Sequence, residues 1–391
     1  MNDSVHETRE RIYFPNLNAL RFIAAFLVFL NHLAWTKDIA GLSRLPHSAF
    51  TINNGVLGVN LFFTLSGFLI TYLLLAEQKK SSTINIRQFY CRRILRIWPL
   101  YYLTVLLSFA ILPFFVSIPG FVPVLSGANY WPKLGLFLGL MPNVAYAAYP
   151  LVSFGSQLWT VGVEEQFYVM WPWLVRTFIR NLIPALVTVV IFIVIARIVI
   201  DRQYVMHPNQ IREIVLHFIH SLRIQCMAFG AIGAWLVHRG HHVILDFIFL
   251  KWVQIMILVG TIAIHVTSST HLGGYQSEVA AVLHTIIIIN AAANPRNIFR
   301  LEHRVTNYLG RISYGIYVYQ ILALNLAVVF AKHYIGFAEV HYGTIVYGII
   351  GAGLTLLFAG VSYHWFELPF LRHKSKYSTI LSAVQSTSGS R

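Results

Sequence analysis

Apolar runs long enough to cross a bilayer as helix, about twenty residues each, recur along the chain from residue 17 to residue 370. Short polar stretches separate them. The runs fall at 17–35, 56–76, 95–117, 157–178, 182–200, 213–237, 247–266, 277–293, 308–334 and 344–370. This pattern predicts an all-α, polytopic integral membrane protein with about ten transmembrane helices. One more apolar stretch, 133–147, is short and broken by Pro142, and reads as re-entrant or interfacial. The first sixteen residues are polar, and no small-residue cleavage site follows the first apolar run, so no cleavable leader is expected. Residues 1–374 form the expected membrane domain. The Ser- and Thr-rich stretch 375–391 reads as a disordered cytoplasmic tail.

Composition supports the membrane assignment: of 391 residues, 57% are hydrophobic and 11% charged. The net charge of +15 is distributed as a topology signal. With both termini inside, the inner segments collect Arg9, Arg11, Lys79, Lys80, Arg87, Arg92, Arg93, Arg176 and Arg180, and further basic residues down to Arg391. The outer segments hold only Lys37, Arg44, Lys133, Arg202 and Arg212. That asymmetry favours ten spans and cytoplasmic termini. If 133–147 crossed as well, Arg176 and Arg180 would fall outside. The basic residues are scattered over inner loops, which argues against nucleic acid as a partner. Cys91 and Cys226 fall at an inner loop and inside a span, so no disulfide is expected.

Ionisable residues inside the spans carry the candidate chemistry, because they are costly there. Arg21 and His32 lie eleven residues apart in the first run, on one helix face and roughly 16 Å apart along the axis. Arg92, Arg93 and Arg96 open the third span at helical spacing. Their forked guanidinium groups suit phosphate oxygens; a topogenic cluster facing lipid headgroups is the other reading. Glu164 and Glu165 sit at the outer end of the fourth span, at the depth of His32. A histidine and a carboxylate at one depth make a general-base pair, with the carboxylate orienting the ring, or a purely structural pair. Glu213, His217, His220 and Arg223 recur near helical spacing and predict a polar stripe facing the bundle interior. Ser66-Gly67 reads as a packing face, since no partner base lies at helical spacing from Ser66. There is no HExxH and no Cys-rich ligand set, so no metal site is expected.

Taken together, these motifs resemble the membrane acyltransferase family 3, bacterial O-acyltransferases of surface glycans and some metabolites. The resemblance covers about residues 12–372. Arg21 and His32 match the family's arginine-x10-histidine signature, and Gly58 to Ile70 resembles its Phe-Phe-x-Leu-Ser-Gly-Phe segment. Arg93 and Arg96 match its Arg-x-x-Arg motif, and Trp159 to Tyr168 is similar to its Trp-to-Tyr block. Arg223 to Gly233, Gly310 to Tyr317 and Glu367-Leu368-Pro369 resemble later family motifs. Two positions depart: Asn18 stands where members often have Asp, and Gln320 where His is common. Gln can hydrogen-bond but cannot shuttle a proton near neutral pH.

The resemblance implies an O-acyltransferase in the bacterial inner membrane, with acetyl-CoA as donor and a cell-surface carbohydrate or lipid-linked glycan as acceptor. It implies donor binding by Arg21, Arg92, Arg93 and Arg96, and chemistry at His32 with Glu164 or Glu165. His32 would act as base or as acyl carrier. Trp159, Tyr168 and Arg223 are the expected acceptor contacts. A small-molecule acceptor such as a macrolide is an alternative within the family. A polytopic transporter or flippase is the alternative outside it, and the inverted repeats of many transporters are not visible in this sequence.

Overall fold

The computed structural model describes residues 11–39, 49–115, 129–152, 154–266, 275–334, 340–378 and 380–382. It is almost entirely helical, as lipid requires of a chain whose backbone polar groups must find partners within the span. The first three helices are α1 (Leu17–Ile39), α2 (Ala49–Ser81) and α3 (Ile86–Leu106). The third runs on through a π-helical turn, Leu107–Ile111, to Phe115. Two short helices follow, α4 (Tyr130–Leu138) and α5 (Pro142–Ala148). Then come α6 (Trp159–Thr177), α7 (Leu182–Met206), α8 (Gln210–Leu222) and α9 (Ile224–Arg239). The remainder is α10 (His242–Ile248), α11 (Lys251–Val266), α12 (Gln276–Ala293), α13 (Arg304–Arg311), α14 (Ser313–Tyr334), α15 (Val340–Val361) and α16 (Leu368–Lys374).

Among the described residues eight spans are long and apolar enough to cross a membrane, and the pair α10–α11, bent by 65°, makes up to nine. Composition leaves out the expected span at 157–178, because α6 carries Glu164, Glu165 and Arg176. Packing restores it. Tyr168 meets Ser66 and Trp171 meets Thr71 on α2, at 2.6 and 2.8 Å, so α6 and α2 run the same way. Glu165 meets Trp98 and Val169 meets Tyr90 on α3, so α6 and α3 run in opposite directions. The helix thus lies alongside the middle of α2. Residues near both ends also meet: Arg11 and Ile12 pair in parallel with Leu381 and Ser382. The described residues thus hold eight long apolar helices, or nine with the bent pair, and beside them the more polar α6.

The stretch 133–147 divides into α4 and α5 at Leu140, whose φ of 59° is left-handed. Neither helix is long enough to cross. Asn143 holds α5 against α6 by a reciprocal amide pair with Gln166. At the C-terminal end, Ser375–Tyr377 is a 3₁₀ turn and Leu381–Ser382 a short strand, so ordered structure continues past residue 374. Residues 383–391 of the expected tail lie outside the described residues.

Helix α2 is the central element, packed between α1 and α9. A Cβ on Gly67 would lie 2.0 Å from the Met227 carbonyl oxygen, and one on Gly230 would lie 2.0 Å from that of Thr64. Backbone meets backbone at this crossing, and the neighbours are too rigid to yield. Without a hydrophobic driving force between helices in lipid, such close packing is a main source of association. Gly67→Ala or Gly230→Ala is therefore expected to destabilise the protein by about 1–3 kcal/mol, read as a lowered Tm in detergent. An unchanged Tm for both would show that the crossing is looser than drawn.

Candidate functional site

Five helices enclose a cavity of about 110 Å³. Its basic end begins where Asn85 caps α3 by accepting the Gln88 amide at 3.0 Å. Glu77, near the end of α2, accepts the Asn85 amide at 2.9 Å and pairs with Arg92 at 2.9 Å, which fixes the corner between the two helices. From that corner, residues one turn apart put Arg93 and Arg96 on the cavity wall together. Arg21 joins them from α1, Ser66 from α2, and Glu164 and Tyr168 from α6. Ser313, Tyr314 and Tyr317 close the cavity from α14.

The Arg93 guanidinium lies 5.5 Å from the Tyr168 ring centre and 5.7 Å from that of Phe89. Tyr168 Oη and Ser66 Oγ are 2.6 Å apart, and Glu164 lines the cavity beside them. Arg21 interacts with Arg96, Arg93 and Glu164 through charge. At the other end, Tyr317 Oη donates to the Gln157 carbonyl at 3.0 Å and accepts from Thr160 at 2.8 Å. Between the ends the walls are apolar, with Val59, Phe62, Leu65, Leu69 and Ile97. A cationic end, an apolar middle and a hydroxyl-lined far end suit a long ligand with an anionic head.

His32 is not part of the wall. It stands beyond Tyr317: Gln320, one turn along α14, donates to the Tyr317 carbonyl at 3.0 Å and lies beside the His32 ring. Nδ1 of His32 is buried without a partner, which leaves one ring nitrogen for a ligand or a proton. Arg21 and His32 share the unbroken helix α1, so the roughly 16 Å offset holds.

Of the residues expected from the sequence, Arg21, Arg93, Arg96, Glu164 and Tyr168 come together in the cavity. The others stand apart from its lining. Glu165 accepts from Trp98 Nε1 at 3.0 Å. Gln320 takes the position beside His32 that the sequence offered to Glu164 or Glu165. Arg92 is tied to Glu77 and to the Tyr377 carbonyl. Trp159 stacks on Tyr146 at 5.8 Å, near the far end. Arg223, at the break between α8 and α9 with φ 46°, bonds Asn60 and Ser277 in a separate buried network with Glu278. The expected inward stripe does not form, because Glu213 and His217 are more than half exposed and His220 pairs with Asp201. Sequence reasoning passed over Ser66, Thr160, Tyr314 and Tyr317 as site residues. The two tyrosines three residues apart carried a helical-spacing signal; the pairing of Ser66 with Tyr168 across 102 residues carried none.

Comparison with known proteins bears on this geometry. Residues 14–364 match the acyltransferase 3 family, described as "Acyltransferase domain". The chain belongs to that family. The O-acetyltransferase OatA of Staphylococcus aureus (strain MRSA252) is 25% identical over 392 residues, covering 96% of this chain and 60% of its own length. The OatA of strain NCTC 8325 is also 25% identical, with 91% and 57% covered. The peptidoglycan O-acetyltransferase OatA of Listeria monocytogenes is 30% identical over 182 residues, covering 44% of this chain and 25% of its own. The chain thus spans about 60% of the length of the first of these relatives. No solved structure matches.

Within this acyltransferase domain, Tyr168 holds Arg93 by its ring and Ser66 by its hydroxyl. Tyr168→Leu removes both contacts and is expected to cost about 2 kcal/mol. Tyr168→Phe keeps the ring and should cost about 1 kcal/mol. Thermal unfolding of the purified variants checks the order; equal Tm values for the two would remove the ring contact from the account.

Proposed function

We propose that the chain is a membrane O-acetyltransferase that takes acetyl from acetyl-CoA on one side of the membrane and passes it to a glycan hydroxyl on the other. The observation that carries this reading is the cavity itself, basic at Arg21, Arg93 and Arg96 and connected along α1 to His32. Family membership supports acyl transfer over transport, and the relatives' names support acetyl as the group and a cell-wall glycan as the acceptor class. The basic end and both chain ends lie in the cytoplasm on this reading, as the distribution of Arg and Lys favours, in the inner membrane of a bacterium.

Each residue then has a defined task. Arg93 and Arg96, with Arg21 beside them, take phosphate oxygens of the donor. The apolar walls at Phe62, Leu65 and Leu69 admit the thin acyl-bearing arm. At the far end His32 accepts the proton of the acceptor hydroxyl as its oxygen attacks the thioester carbonyl. The new C–O bond forms, the C–S bond breaks, and the departing thiolate takes a proton back from the imidazolium. Gln320 positions the ring. Glu164 offsets the arginines and, through Tyr168 and Ser66, keeps Arg93 in place.

Mass spectrometry of surface glycans from cells carrying wild type, His32→Ala or no protein tests the reading. An acetyl mass present with wild type alone is expected; normal product from His32→Ala would contradict the role given to that residue. Arg93→Ala and Arg96→Ala should each raise KM for acetyl-CoA about ten-fold or more and change KM for the acceptor by less than about two-fold. An unchanged dependence on acetyl-CoA would leave the arginines a topological role only.

A further inference from the structure

The last helix brings another cation to the basic end of the cavity. Helix α15 passes into a π-helical turn at Ser362–Glu367 and continues as α16 with Pro369 in its first turn. Helix α16 packs against α3. Its final residue, Lys374, is 9% exposed, and the ammonium makes no hydrogen bond to a described residue. It lies among the positive charges of Arg96, Arg93, Arg21 and Arg92. Its place is secured on both sides. Arg92 Nη1 donates to the Tyr377 carbonyl at 2.9 Å, and Leu381–Ser382 pairs with Arg11–Ile12.

Most carboxylates at this end already have partners. Glu77 holds Arg92 and the Asn85 amide. Glu165 accepts from Trp98, Glu367 accepts from Ser362 at 3.1 Å, and Glu164 lines the cavity beside Ser66 and Tyr168. Five cations therefore meet four carboxylates, three of them engaged. A buried cation that faces other cations is unfavourable until an anion reaches it. The geometry points to Lys374 as a phosphate ligand that completes the anion site begun by Arg93 and Arg96 on α3. The phosphates are those at the nucleotide end of the acyl donor. The identity of the donor rests on the function proposed above; the existence of an anion site does not.

The test uses the full chain in phosphatidylcholine nanodiscs, as wild type, Lys374→Gln and Lys374→Arg. Titration with coenzyme A and with adenosine 3′,5′-bisphosphate is expected to show about ten-fold weaker binding for Lys374→Gln and near-normal binding for Lys374→Arg. KM should rise for acetyl-CoA in Lys374→Gln and stay unchanged for acetyl-pantetheine, which has no phosphate. Without ligand, Lys374→Gln should melt at the wild-type Tm or above it, because a repulsive charge is gone; a clearly lower Tm would mark a structural lysine and overturn the assignment. Wild-type affinity in Lys374→Gln would also overturn it. If wild type binds neither probe, the donor reading fails first. Stabilisation by phosphatidylglycerol nanodiscs that depends on Lys374 would then identify a lipid headgroup as the anion and overturn the donor assignment.

Discussion

Three guanidinium groups, Arg21, Arg93 and Arg96, are held together on the lining of one cavity, and charge among apolar helices is tolerated only inside a built enclosure. Much of the local structure meets that requirement. The capped corner at Asn85 and Glu77 aims α3. Tyr168 and Phe89 place ring faces against Arg93. Glu164 and Glu367 supply partial balance from α6 and from the end of the π-helical turn. The enclosure draws on helices from both ends of the sequence, Arg21 from α1 and Ser313, Tyr314 and Tyr317 from α14.

Helix α6 has a cost that follows from the same constraint. Its two glutamates make it too polar to be recognised as a span by composition, yet it packs beside α2, with Glu165 held by Trp98 and Glu164 facing the cavity. Bonds from Trp98, Trp171 and Tyr168 replace the lipid contact that an apolar helix would make. A site that handles charge in a membrane is thus built on the helix least like a membrane helix.

What the sequence made legible was set by the helical repeat. Arg21 with His32, and Arg93 with Arg96, lie on single helices, so their spacing alone put each pair on one face. The long apolar helices, eight or nine with the bent pair, were likewise readable from length. Contacts between helices distant in sequence were not. Gln320 beside His32, Ser66 beside Tyr168 and Lys374 beside the arginines each join segments with no periodic relation. The stripe expected on α8 failed for a related reason: spacing defines a face, and only packing decides whether that face turns inward. Glu213 and His217 turn outward.

The central claim is that donor and acceptor meet from opposite sides of the membrane, through a cavity whose basic end receives the donor. Oriented proteoliposomes test it most directly, with labelled acetyl-CoA supplied to one face and a soluble glycan acceptor confined to the other. The account predicts labelled glycan only when acetyl-CoA is on the face that carries the chain ends. Transfer with both substrates on the same face, or with acetyl-CoA only on the opposite one, would contradict it.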